Sequence, residues 1–219
     1  MSPSFGRKTV LRDDNPIQGF LIETDRYGVS TNKINEKLSL RASITGEINF
    51  NNVRIPEENV LLGVEGMKGP LSCLTQARYG IAWGVIGAAK DCFATARDYA
   101  TDREQFGKPI GSFQIQQEKL AEMATQITTS ELLTYRIAEL KERGELRPEH
   151  VSMAKRNNVR TAQDQSRVAR EMLGGNGITT DYSPMHHMAN IETVYTYEGT
   201  HDIHSLILGH DLTGIPAFN

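Results

Sequence analysis

Residues 71–101 read LSCLTQARYGIAWGVIGAAKDCFATARDYAT, and whether this is one long helix or several short elements decides the fold. The periodicity is helical from Leu71 onward. Its longest apolar stretch, residues 81–89, lies between Arg78 and Lys90 and is too short for a bilayer, which takes roughly 20 residues. The stretch therefore belongs to a protein core. Cys73 and Cys92 fall inside this same helix and are the only cysteines, which points to reduced thiols in an intracellular compartment and not to a disulfide framework.

Working outward, the helical pattern continues over residues 113–143, 148–173 and 198–212, with a shorter piece near 184–195. Gly144 follows the second helix with Lys141 and Arg143 in its last turn, Pro148 opens the third, and Gly174 follows its last apolar residue; these are ordinary stop and start signals. Leu120, Met123, Ala124 and Ile127 recur at helical spacing, as a buried stripe would. In the third helix the small residues Ala154, Ala162, Ser166 and Ala169 alternate with Asn157, Asn158, Gln163 and Gln165, which predicts close packing on more than one side. Helices of roughly 26 to 31 residues, against a usual mean of about 11–12, predict a bundle.

Upstream, GFLIET (19–24), YGVSTNKI (27–34) and ITGEINFNNVRIP (44–56) read as three or four antiparallel strands, punctuated by glycines and closed by Pro56. GVEGMKGP (63–70) reads as a glycine-rich joint. The expected architecture is mainly α: a partial antiparallel β domain over 1–66, then a C-terminal antiparallel four-helix bundle over 67–219. Lys and Arg number 24 against 27 Asp and Glu, and no long block of like charge occurs, so a nucleic-acid footprint is missing. The N-terminus carries basic residues but no apolar signal-peptide core.

Three stretches could carry chemistry. DREQFGKPIGSFQ (102–114) is either a plain interhelical loop or a platform that offers the Arg103 fork to a phosphate and aromatic faces to a planar heterocycle. EMLGGNGI (171–178) is either a generous helix stop or a place where a ligand comes close to the backbone. It is not a Rossmann turn, because it ends a helix. YTYEGTHDIH (195–204) sets Glu198 where it could be a general base or a first-turn helix charge, with Thr200 or Asp202 capping. His201 and His204 share a helical face but lack further ligands at plausible spacing, so no metal site is expected. No G-x-S-x-G occurs.

SLRASITGE, IPEENVL, ARYGIAWG, DREQFG with its following FQ, KRNN, MLGGNGI and TYEGTHDIHSLILG stand in this order, and together they resemble the acyl-CoA dehydrogenases, most nearly the glutaryl-CoA branch. The resemblance covers residues 19–218 and corresponds to the second half of the family's chains, beginning within the β domain. A fragment, a truncated gene product or a natural short form is therefore expected. The resemblance implies homotetramers built as dimers of dimers, FAD as cofactor and electron-transfer flavoprotein as electron acceptor. It implies a location in the mitochondrial matrix of a eukaryote or the cytoplasm of a bacterium.

Position by position, the resemblance implies that Glu198 is the catalytic base. It implies FAD contacts from Arg103, Gln105, Phe106, Phe113 and Gln114, from Glu171, Met172, Leu173, Gly174 and Gly175, and from Thr200, His201, Asp202 and Phe218, several of them reaching a neighbouring subunit's flavin. Leu71, Ser72, Leu74, Thr75, Arg78 and Gly199 match positions along the acyl-CoA. Glu171 stands where most relatives have Gln, as in the glutaryl branch. The implied activity is oxidative decarboxylation of glutaryl-CoA to crotonyl-CoA and CO2, in lysine and tryptophan degradation. The alternatives are another short- or branched-chain acyl-CoA dehydrogenase, an inactive fragment, or a non-catalytic module of the same fold. The arginine that would face a distal carboxylate has no counterpart in this sequence.

Overall fold

The computed structural model describes residues 2–7 and 17–217. By its contacts the chain divides into two units, residues 1–37 with 41–76 and residues 38–40 with 77–219.

Among its described residues the first unit holds five strands in two sheets. β1 (Ser2–Arg7), β2 (Ile17–Ile22) and β5 (Val60–Glu65) form an antiparallel sheet in the order β1-β2-β5. β2 is central because it alone has a ladder on both edges, and its i, i+2 pair Phe20 and Ile22 is buried. β3 (Val29–Ile34) and β4 (Thr45–Phe50) make a separate hairpin, Val29 opposite Phe50 and Ile34 opposite Thr45. Val29, Thr31, Ile48 and Phe50 share one face of it, since side chains alternate along a strand.

Three expectations are corrected here. The run expected to reach Pro56 stops at Phe50, because Asn52 turns left-handed at φ 49° and ends the pairing. Pro56 instead precedes a 3-10 turn over Glu57–Asn59. VLLGVE, whose latter part was expected to belong to the joint, is a strand: Val60 pairs with Phe20 and Glu65 with Gln18, the register shifting between them across the left-handed Gly63 at φ 72°. β1, for which no strand was expected, pairs with β2 through all six of its residues.

Helix α1 (Lys68–Asp102, 35 residues) begins in the first unit and continues through the second. A two-residue hairpin, β6 (Glu104–Gln105) and β7 (Lys108–Pro109), follows, turned by Phe106 and Gly107 at φ 56° and 77°. Then come α2 (Gln114–Glu142), α3 (Pro148–Met172), α4 (Pro184–Thr196) and α5 (His201–Thr213). The helix limits lie within three residues of expectation, and Gly144 and Gly174 take the left-handed stop conformation at φ 71° and 58°.

One core joins Val85, Ile86 and Ala89 of α1 to Ile127 of α2, Val159 and Ala162 of α3, and Ile191 and Val194 of α4. A second packs Cys92, Ala96 and Ala100 against Met123, Ala169, Met172 and Leu173. Alanines on facing helices let the backbones approach, Ala154, Ala162 and Ala169 of α3 among them. α3 touches α2, α4 and α5 and is buried at twelve positions that cover about half of its circumference at 3.6 residues per turn. Several of its polar members are satisfied internally: Asn158 Nδ2 donates to Ala82 O of α1 (2.9 Å) and Thr134 Oγ1 of α2 (2.7 Å), and the Ser130 and Thr161 hydroxyls lie 3.2 Å apart, whereas Gln165 Oε1 is buried without a partner.

Candidate active site

The junction of α4 and α5 concentrates the unusual features of the second unit. Tyr197 caps α4, its N–H donating to Thr193 O at 2.8 Å. Glu198 and Gly199 are both left-handed, at φ 57° and 88°. For Glu198 that conformation costs roughly 1–2 kcal/mol. Thr200 then starts α5 as its N-cap, Oγ1 accepting from Ile203 N at 3.3 Å. Glu198 therefore stands ahead of α5 and not in its first turn, a correction of one of the two readings above: a left-handed glycine at 199 breaks the backbone before the helix begins.

Two cations hold this turn. Arg78 of α1, 9% exposed, donates from Nε to Glu198 O at 2.6 Å. Lys155 of α3, 1% exposed, donates from Nζ to Gly199 O at 2.7 Å and also to Tyr197 O. Three consecutive carbonyls thus each accept from a buried cation. Behind Gly199 sits the His204 ring, 1% exposed; a Cβ on Gly199 would lie 3.2 Å from both His204 Nε2 and Arg78 Nη2. Glu198 Oε2 is buried and makes no hydrogen bond within the protein.

Burial sets the electrostatics. It pushes the Lys155 ammonium down to about 8, helped by Arg78 and opposed by Glu198. It pushes His204 down to about 4, helped by Lys155 and Arg78 and opposed by the carbonyls of Glu198 and Gly199, so this imidazole is neutral near pH 7. Burial raises the Tyr197 phenol and Glu198 adds to the effect. His201, stacked on Tyr195 with centroids 4.7 Å apart, is lowered by burial and then by Arg156.

The other chemical stretches meet elsewhere. Arg103, Gln105, Met172, Leu173, Gly174 and Gly175 line one open groove of about 420 Å³, together with Tyr99, Ile110 and Asn176. Asn176 Nδ2 donates to Tyr99 OH at 3.0 Å and braces its wall. A Cβ at Gly174 or Gly175 would meet only open space, whereas one at Gly177 would lie 2.2 Å from Arg170 O. The first two glycines therefore leave room at the surface and the third serves packing. From Arg78 to the end of α1 the axis runs 24 residues, about 36 Å at 1.5 Å rise per residue.

The remaining predicted positions fall as follows. Phe106 is 92% exposed and meets Phe113 edge to face at 6.0 Å, with Lys108 Nζ 4.4 Å over the Phe113 ring. Gln114 is the first residue of α2. Glu171 pairs with Lys119 at 3.2 Å. Asp202 lies exposed in the first turn of α5. Leu71, Ser72, Leu74 and Thr75 occupy early turns of α1, with Ser72 and Thr75 hydroxyls donating to Gly69 O and Leu71 O. Phe218 lies outside the described residues. Lys155 and His204 were not anticipated as part of the site; KRNN and THDIH contain them, but a lysine in an amphipathic helix ordinarily reads as solvated surface. Among the described residues no cluster of metal-ligating side chains occurs, and no helix is long and apolar enough to cross a membrane.

Residues 65–213 match the family model described as acyl-CoA dehydrogenase, C-terminal domain. The chain belongs to the acyl-CoA dehydrogenase family. Two crystal structures of glutaryl-CoA dehydrogenase from Mycobacterium smegmatis, one in complex with FADH2, are similar to it with a TM-score of 0.91, at 48% and 46% identity. The alignments cover 93% of this chain and 52% and 53% of those chains. Glutaryl-CoA dehydrogenase of Desulfococcus multivorans is 34% identical over 93% of this chain and 53% of its own length. The mitochondrial short/branched chain specific acyl-CoA dehydrogenase of Bos taurus is 36% identical over 84% and 43%. This family member thus spans about half the length of the relatives it matches.

Proposed function

We propose that this chain carries the base and part of the cofactor cradle of a FAD-dependent acyl-CoA dehydrogenase acting on glutaryl-CoA, releasing crotonyl-CoA and CO2. One observation carries the reading: Glu198 Oε2 is buried without a partner in a turn held by Arg78 and Lys155. A buried carboxylate oxygen with no internal donor is disfavoured, and a site that must take up a proton from a ligand is a physical reason to keep one. In the proposed reaction Glu198 takes the proton from the carbon next to the thioester carbonyl as that C–H bond breaks. The flavin, when bound, supplies the acceptor for the hydride leaving the next carbon. Positioned proton transfer of this kind is worth about 10²–10⁴-fold.

The groove residues fit a dinucleotide: Arg103 offers a fork to a pyrophosphate, and Gly174 and Gly175 leave the backbone open to close approach. They lie about 36 Å along α1 from the turn that holds Glu198. A second copy of the chain would supply the far contacts, which supports an oligomer. Electron-transfer flavoprotein is the proposed electron acceptor. The short/branched-chain reading has a specific basis in the 36% identical relative, and CO2 release separates the two.

In the flavin-loaded protein, Glu198→Gln should abolish bleaching of the flavin absorbance by acyl-CoA while leaving the colour intact. Bleaching at the original rate would remove Glu198 from the reaction.

A further inference from the structure

The turn at 197–199 combines three observations that ordinary packing does not require together. It places two successive residues in the left-handed region, one of them bearing a side chain. It is clamped by cations from two different helices, Arg78 of α1 and Lys155 of α3. And the more deeply buried of the two, Lys155, spends two of its three donors on the carbonyls immediately before and after Glu198, with the Tyr197 ring 5.9 Å from Nζ. A methionine of similar length would fill the same volume without the cost of burying a charge, and replacing buried charge by apolar side chains is often neutral or stabilising. The ammonium is therefore poorly explained as a stabiliser of α3.

We infer that Lys155 is a positioning residue for Glu198: by drawing the carbonyls of Tyr197 and Gly199 onto one nitrogen, it fixes the strained turn that aims the Glu198 carboxyl group. Arg78 holds only the carbonyl of Glu198 itself and cannot by itself fix both flanking peptides. Lys155 makes no claim on the carboxyl oxygen Oε2, which stays open to a ligand. The charges and titratable groups around the ammonium come from every side: Arg78 from α1, Tyr197 and Glu198 from the junction, His201 and His204 from α5. With His204 neutral above about pH 4 and Arg78 charged throughout, Lys155 is the member of the clamp that titrates near pH 8. Its pKa is lowered to about 8 in the closed turn against the ordinary 10.5, so an opening that hydrates the amine takes up a proton, and the closed turn gains stability as pH rises past that value.

The catalytic consequence rests on the proposed function, but the turn itself can be tested without it. The reporters are the amides of Tyr197, Ile203 and His204, hydrogen-bonded at the flanks of the turn at 2.8, 3.3 and 3.1 Å. In the unsubstituted protein their hydrogen exchange, corrected for the intrinsic base-catalysed rate, should be on the order of tenfold slower at pH 9 than at pH 7, with α3 unchanged, as expected for a local opening that hydrates Lys155. Lys155→Met should exchange fast at both pH values while unfolding no earlier than the original protein. In the flavin-loaded enzyme the same variant should lose roughly tenfold or more in kcat with KM little changed, the pattern of an interaction needed only in the transition state. Exchange at these amides that responds neither to pH nor to Lys155→Met overturns the inference, as does a loosened turn with kcat unchanged. Should Lys155→Met fail to fold, the pH arm on the unsubstituted protein decides. If the original protein oxidises no acyl-CoA, the proposed function fails while the exchange result still stands or falls alone.

Discussion

His204 shows how one residue links the site to stability. Its imidazole is held at about 4 in the folded protein against 6.5 as the ordinary value. The unfolded chain therefore takes up this proton first as pH falls, so stability is lost between about pH 6.5 and 4 and is unaffected by this group above pH 7. Between pH 7 and 5 the loss from His204 alone should be about 2 kcal/mol. His204→Gln should reduce the pH dependence of the urea unfolding free energy by that amount; an unchanged difference between the two pH values would mean the ring is not held neutral. Gly199 is the complementary case. At φ 88°, with Arg78 and His204 3.2 Å from any added Cβ, Gly199→Ala should cost about 1–3 kcal/mol, read as a lowered thermal midpoint. The position of Glu198 between Tyr197 and Gly199 was visible in the sequence, but its left-handed backbone was not, since a glutamate has no local reason to adopt it. The reason is the pair of cations that arrive from α1 and α3.

At the scale of elements, α3 is the member on which the others depend. Its buried Asn158 ties the Ala82 carbonyl of α1 to the Thr134 hydroxyl of α2. Asn158→Ala should leave those groups short of a partner and cost about 2–3 kcal/mol, with the three helices unfolding in a single, earlier transition by circular dichroism. That α3 would be crowded on several sides was legible in its alternation of small and polar residues, because only small side chains admit close helices. Helix ends were legible too, since Gly144, Pro148 and Gly174 act locally through their backbone preferences. Strand pairing was not. β2 pairs with β1 and β5 while β3 and β4 pair only with each other, and nothing local to a strand names its distant partner. Gly63 concealed β5 for the same reason: a glycine reads as a break, and here it does mark an irregularity, but the pairing with β2 resumes beyond it.

At the scale of the molecule, two chemical surfaces lie about 36 Å apart along α1, the turn at Glu198 near one end and the Arg103–Gly174 groove at the other. If each flavin is shared between copies, mixing inactive Glu198→Gln protein with inactive Arg103→Ala protein should restore activity. A hybrid dimer then contains one site with both original residues. No recovery on mixing and refolding would argue against sharing. The sequence by itself determined the helical bundle, the helix limits and the family, because these rest on local periodicity, on glycine and proline backbone preferences, and on motifs that keep their order. Only the tertiary structure decided that Lys155 and Arg78 clamp the Glu198 turn, that His204 is buried and neutral, and that DREQFG and MLGGNG line a single groove. Each of those depends on which distant helices come to lie side by side, and burial and charge proximity exist only once they do.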